Sequence, residues 1–380
     1  MTERERAFQL LQRIERESAY ASILLQDESG FVRTLVLGVL RWRSRLDDAI
    51  EKLAQRRLKK LDPNVVDILR IGIYQLMFMD VAPYAAVSET VDLAGRYAKR
   101  ARGFVNAILR SAAKTDLHAL ATDLATRTAH PQWLLDRWTR RFGAERAARI
   151  AEANQQLSYP DVFTSHPPEG AEPSKLVPGI FKLSGSSANV EGYALDEGSG
   201  VIADIAAATS NDILDLAAAP GGKTIVMRAR GADVVSNDVA ISRIRPLIGR
   251  SPKIVISDGR RPPFRKKFAT VLLDAPCSAT GIIRKNPEIK WRLRESDFAR
   301  FAVLQRELLA SAIKYASKYV IYSTCSLEPE ENDDVVGDYA SGDVAAFANG
   351  EVRTWVENGA LRLTPESGAD GFTAFVLKVR

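Results

Sequence analysis

The sequence predicts a multidomain chain in which an all-α bundle is followed by an α/β domain of Rossmann-like alternation. Three observations carry this. At 380 residues the chain exceeds one typical domain. Its first third places apolar residues at helical intervals, and from about Val190 short apolar runs alternate with helical stretches. Hydrophobic residues make up 46 % and charged residues 26 % of the chain, which suits a soluble globular protein with a real core. These shifts divide it into a helical part over 1–143, a connector over 144–189 and an α/β part over 190–380.

The helical elements follow from spacing and caps. Thr2 and Glu5 have capping-box spacing, and Ala7, Leu10, Leu11 and Ile14 then recur on one face. A second helix runs through FVRTLVLGVLRW. Asp62-Pro63 is a helix start, and Val65 to Met79 is apolar on nearly all sides, which makes it the central buried helix. VSETVDLAGRYAKRARGFVNAILRSAAK gives two amphipathic helices divided near Arg102-Gly103. The helical pattern continues from Ala119 to Gln156, with Trp133 and Trp138 read as packing residues. From Leu157 to Asn189, Pro160, Pro167, Pro168, Pro173 and Pro178 mark an irregular or part-β connector.

Beyond it, helix-like VIADIAAAT precedes the strand DILDLA, a glycine turn and a helix. The strands DVVSND, KIVIS and TVLLDA come next, then a long helix from Asp297 to Ser317 and the strand YVIYST. FTAFVLKV closes the sheet. Such alternation builds a mostly parallel sheet whose ligand lies beyond the carboxyl ends of the strands.

The chemistry-bearing residues gather at those ends. The glycine turn Ala217-Ala218-Ala219-Pro220-Gly221-Gly222-Lys223 follows the first strand and opens a helix, so a ligand can approach the backbone closely. Gly222-Lys223-Thr224 also ends a nucleotide P-loop pattern, but that pattern needs glycine where Ala217 stands. Asp238 ends the next strand, where a carboxylate suits ribose hydroxyls; Asp258 follows the third and Asp274 the fourth. The chain's two cysteines close strand-like runs in VLLDAPCSATG and YVIYSTCS, and a thiolate is the strongest ordinary nucleophile near neutral pH. His118, His130 and His166 lack metal-ligand spacing, so no metal is expected.

At these strings the sequence resembles a known family. LDLAAAPGGKT, LLDAPCSATGIIRKNPEIKW and YSTCSLEPEEN are similar to the S-adenosylmethionine, DAPC and TC motifs of the NOL1/NOP2/Sun RNA 5-methylcytosine methyltransferases. The helical third resembles the NusB-like RNA-binding domain of the family's bacterial RsmB (Sun, Fmu) type, which methylates cytosine 967 of 16S rRNA. The connector departs from the family pattern: YPDVFTSHPPEG lacks the usual Arg-Val-Asn strand, so the ferredoxin-like subdomain is reduced. The resemblance implies a Rossmann-like methyltransferase domain with S-adenosylmethionine against Ala217 to Lys223 and Asp238. It also implies Asp258 facing adenine, Asp274 between cofactor and base, Cys325 as nucleophile and Cys277 aiding product release.

That assignment has its own chemical sense. Cytosine C5 is a poor nucleophile until a thiolate adds to C6, and Asp274, protonated or hydrogen-bonded at N3, stabilises charge gathering on the ring. The base must leave its stack to be reached.

The expected partner is therefore RNA, specifically 16S rRNA, with no DNA and no membrane. No run reaches the roughly 18 apolar residues of a membrane span, and the start Met1 to Arg6 has no apolar signal core, so a cytoplasmic protein is expected; it is taken as a monomer. A net charge of +6 permits a polyanion partner without requiring one. Basic residues collect at Arg41, Arg43 and Arg45, at Arg56, Arg57, Lys59 and Lys60, and at Arg96, Lys99, Arg100 and Arg102. Each cluster is either an RNA-backbone surface or a solvated helix face. Arg284, Lys285, Asn286, Pro287, Lys290 and Trp291 form a further basic loop that could clamp RNA phosphates. The rival reading, from another class, is a NusB-like ribosome-assembly or antitermination factor with a vestigial catalytic domain.

Overall fold

The computed structural model describes residues 1–158, 160–184, 190–337, 339 and 341–379. The chain divides into two compact units, Met1–Gln156 with Ile283–Arg292, and Leu157–Ile282 with Leu293–Arg380. The helical unit thus reaches past residue 143, because Ala144–Ala153 is a helix with an apolar face, and it takes up a segment from far along the chain.

In the first unit the helices are α1 (Glu3–Arg16), α2 (Ala21–Leu24), α3 (Gly30–Ala54), α4 (Pro63–Phe78), α5 (Pro83–Tyr97), α6 (Arg102–Ala112), α7 (Leu124–Thr128), α8 (Gln132–Phe142) and α9 (Ala144–Ala153). The Thr2–Glu5 capping box forms, and Asp62 caps α4 through the backbone N–H of Asn64. α4 is the buried element, with Ile68, Leu69, Ile71 and Ile73 fully covered. Its one buried cation, Arg70, is tolerated because the guanidinium forks onto Asp47 at 2.6 and 2.9 Å and reaches Glu15 and Asp67. Trp138 is fully buried, as packing requires.

Two of the basic clusters, open between an RNA surface and a solvated face on sequence, turn cations into the fold instead. Arg41 and Arg45 point inward: Arg41 donates to the carbonyl of Arg284 at 2.8 Å, and Arg45 reaches the carbonyls of Arg127 and His118. Arg43 pairs with Glu15 at 3.5 Å and lies over the ring of Trp291. The basic loop is equally occupied. Lys290 is buried and donates to the carbonyl of Arg41 at 2.9 Å, while the Trp291 indole donates to that of Leu40. A backbone carbonyl has two lone pairs, and here carbonyls satisfy cations that would otherwise be buried unpaired. Burial, then the Arg41 charge, drives the Lys290 pKa well below the ordinary lysine value. Arg56, Arg57, Lys59, Lys60, Lys99 and Arg100 remain exposed.

The second unit opens with a small antiparallel sheet of β1 (Asp161–Phe163), β2 (Glu172–Pro173), β3 (Ile180–Lys182) and β4 (Tyr193–Ala194), in the order β2-β3-β1-β4. This is what the connector becomes. Then follow α10 (Glu197–Thr209), β5 (Asp212–Asp215), α11 (Gly222–Ala229), β6 (Asp233–Asp238), α12 (Ile241–Ile244), β7 (Ile254–Ile256) and β8 (Phe268–Asp274). The turn α13 (Ile289–Arg292) lies in the segment assigned to the first unit. The chain returns through α14 (Glu295–Tyr315), β9 (Ala316–Thr324), α15 (Asp333–Val336), β10 (Ser341–Gly342), α16 (Gly350–Arg353), β11 (Val356–Glu357), β12 (Ala360–Leu363) and β13 (Phe372–Lys378).

These strands form one sheet in the order β11-β12-β13-β9-β8-β5-β6-β7, with β10 on β13. β7, β6, β5, β8 and β9 are parallel; β13 runs antiparallel between β9 and β12. Alternation along the strands separates two cores. Leu272 and Ile321 pack with α10 and α11, whereas Val271, Leu273, Val320 and Tyr322 pack with α14. From β5 the chain moves outward to β6 and β7, then returns to the other side of β5 as β8. That reversal opens a crevice beyond the carboxyl ends of β5 and β8.

Candidate active site

The crevice receives the sequence motifs in strand register. Asp215 pairs with Ser236 and with Leu272, so the β5 loop and Asp274 leave the sheet side by side, and Asp274 pairs in turn with Ser323. Two residues past Ser323 stands Cys325; three past Asp274 stands Cys277.

The glycine turn is built on backbone freedom. Gly221 has φ +117°, in the left-handed region, and a Cβ there would sit 2.9 Å from Leu247. This turns the chain into α11 with its amino terminus at the crevice. The rest of the loop is tied to β6: Ala218 donates to the carbonyl of Asn237 at 2.9 Å, and Ala219 to the carboxylate of Asp238 at 3.0 Å. The other Asp238 oxygen accepts from Ala240 at 3.1 Å, so each oxygen keeps a lone pair for a further donor. Immediately after it, Val239 and Ile241 expose apolar side chains.

Lys223 does more than line the loop. Its ammonium lies 2.5 Å from Asp274 and donates to Ser199 at 3.2 Å. Burial opposes the charged form, but Asp274, then Asp215 and Cys325, outweigh it and hold the Lys223 pKa above the ordinary lysine value. The second Asp274 oxygen accepts from Ser323 at 2.9 Å. Asp215 is fully buried, accepts from Thr224 at 2.7 Å through one oxygen and leaves the other without a partner. Burial raises its pKa to about 7, against the hydrogen bond from Thr224 and the charge of Lys223.

The two thiols are free and face each other, with Sγ atoms 3.2 Å apart. They are not equivalent. The hydrogen bond to Cys325, then burial, then the negative charges of Cys325, Glu331 and Asp274 push the Cys277 pKa well above the ordinary thiol range. Either sulfur can donate in this contact, and the raised pKa favours the thiol form of Cys277.

Of the residues singled out in the sequence, Ala217 to Lys223, Asp238, Asp274, Cys277 and Cys325 meet around the crevice. Asp258 stands on the loop after β7, whose Ser257 donates to the carbonyl of Asp238, and is half-exposed with both oxygens accepting from Arg260. Asp215 and Glu331 stood within the quoted motifs without an assigned role; the signal for Glu331 was the repeat of Cys-Ser in both motifs, since both serines bond to it.

Known proteins resemble this chain in sequence and fold. The model of the 16S rRNA methyltransferase RsmB/F matches residues 204–377, and that of the NusB family residues 1–114. The ribosomal RNA small subunit methyltransferase B of Citrobacter koseri is 31 % identical, with 81 % of each chain covered. The chain belongs to the RsmB/F family of rRNA methyltransferases. The corresponding enzyme of Escherichia fergusonii is 32 % identical over 80 % of each chain. Among solved structures, PH0851 superposes with a TM-score of 0.75 over 99 % of both chains at 22 % identity, a likeness of fold. No described helix of this methyltransferase is long and apolar enough to cross a membrane.

Proposed function

We propose that this methyltransferase forms 5-methylcytosine in 16S rRNA, at cytosine 967, through a covalent bond between Cys325 and cytosine C6. The observation that carries the reading is the pair of inequivalent thiols 3.2 Å apart at neighbouring strand ends, beside the Lys223–Asp274 ion pair.

The crevice residues fit S-adenosylmethionine. The buried, unpartnered oxygen of Asp215 suits an ammonium group, Asp238 retains acceptors for a ribose diol, and Val239 and Ile241 offer apolar surface for an adenine ring. Asp258 is read as the carboxylate on the adenine side. Bound there, the cofactor supplies an electrophilic methyl group on a sulfonium.

The protein's own work is on the base. Cys325 adds to C6, so that an S–C bond forms and the electrons of the C5–C6 double bond become available at C5. As charge gathers on the ring, N3 takes a proton passed from the Lys223 ammonium through Asp274, and the new N3–H then donates to the Asp274 carboxylate, which Lys223 and Ser323 hold in place. After C5 has been methylated, a general base takes the C5 proton, the C5–C6 double bond re-forms as the C6–S bond breaks, and its electrons return to the Cys325 sulfur, whose release Cys277, within hydrogen-bond reach, aids. The target base must be unstacked, which suits an accessible RNA site. We read the protein as a cytoplasmic monomer.

Cys325→Ala should abolish methylation and give no protein–RNA adduct. Cys277→Ala should methylate but accumulate an adduct stable on denaturing gels. The reverse pattern would exchange the roles, and unchanged methylation in both variants would refute the covalent route. Bisulfite sequencing of 16S rRNA with and without the gene checks the position.

A further inference from the structure

Each active-site cysteine is followed by a serine, and both serines end on one carboxylate. Glu331, in the turn before α15, is completely buried. One of its oxygens accepts from the backbone N–H of Ser278 at 2.8 Å and from the Gln305 amide at 3.1 Å. The other accepts from the hydroxyl of Ser278 and from that of Ser326 at 2.5 Å. Four donors meet the roughly four lone-pair sites of an ionised carboxylate, so the charge is buried without an unmet acceptor. Gln305 extends the link by donating to the carbonyl of Pro276 at 2.8 Å, and the Glu331 carbonyl accepts from Tyr322 on β9 at 2.6 Å.

We propose that Glu331 is a positioning residue that locks the loop after β8 to the loop after β9 and thereby sets the separation and aim of the Cys277 and Cys325 sulfurs. It touches neither sulfur. It holds the residues on both sides of Cys277, through Pro276 and Ser278, and the residue directly after Cys325. No other described side chain bonds to both of these serines; Thr280, for one, bonds to Ser326 alone of the two. The same carboxylate also adds to the negative field that keeps the proton on Cys277. One buried group thus fixes the geometry of the thiol pair and biases which member is the nucleophile. The assignment rests on the covalent reading for its effect on turnover, but not for its effect on the thiols themselves.

Two measurements test it. In Glu331→Ala, kcat should fall by about 10- to 100-fold, as an ångström-scale misplacement of a nucleophile does, while KM for RNA and Kd for S-adenosylmethionine stay within about twofold. Independently of RNA, diamide takes two electrons and two protons from adjacent thiols as they join; with wild-type protein it should close a Cys277–Cys325 disulfide, and in Glu331→Ala this should slow by about tenfold or more. If Glu331→Ala does not fold, the Ser278→Ala/Ser326→Ala double variant removes the two hydroxyl bonds to Glu331, including the carboxylate's only bond to the loop after β9, while the Ser278 N–H and Gln305 bonds stay, and it should give both effects in the same direction. Equal kcat and an equal disulfide rate in a folded variant would overturn the proposal. Slowed disulfide closure in these variants, together with no RNA adduct in Cys277→Ala, would sink the covalent reading and leave the positioning role standing.

Discussion

Asp215 offers a stability measurement with a defined sign. Its pKa rises from the ordinary 3.8 to about 7, burial being the main cause. Between those values the folded protein retains a proton that the unfolded chain has released, so the free energy of unfolding falls as pH rises. At about 1.36 kcal/mol per pH unit the full loss is about 4 kcal/mol, reached above pH ~7; about 2 to 3 kcal/mol of it falls between about pH 5 and 8. Asp215→Asn removes the titration. It also leaves an amide N–H beside the orphaned position, at a cost of about 1–3 kcal/mol, but that cost does not vary with pH. The difference in stability between Asp215→Asn and the parent, measured by urea unfolding without cofactor, should therefore shift by about 2 to 3 kcal/mol in favour of the variant from about pH 5 to 8. A difference that stays flat across that range would show that Asp215 is ionised at ordinary carboxylate pH, and the burial argument would be refuted.

Gly281→Ala should be destabilising, because its Cβ would lie 2.3 Å from the carbonyl oxygen of Gly371 and 2.9 Å from that of Cys325. Overpacking at about 1–3 kcal/mol, with strain on the bonds from Gly281 to Cys325 and from Gly371 to Gly281, predicts a loss of about 2–5 kcal/mol in denaturant unfolding; under ~0.5 kcal/mol would refute the close approach. Asp238→Ala should weaken S-adenosylmethionine by roughly 1.5–3 kcal/mol in calorimetry, and unchanged affinity in a folded variant would remove Asp238 from the cofactor site.

The sequence by itself determined the classes of element and the placing of its motif residues at strand ends. Helical periodicity, the Thr2 and Asp62 caps and the strand–helix alternation are local signals, set by neighbours a few residues apart, and they hold in the structure. The motif residues at strand ends were legible for the same reason, since a strand's last residue is a property of the strand. What a cation touches is not local. Arg41, Arg45 and Lys290 read as exposed, on an RNA surface or a solvated face, because charge in sequence is normally charge in water; in the fold they meet carbonyls more than 70 positions away, and these carbonyls make burial tolerable. The same limit hid Glu331 and the orphaned oxygen of Asp215. Tertiary structure alone decided that two Cys-Ser pairs, 48 residues apart, converge on one carboxylate, because parallel strand register brings together segments that no periodicity connects.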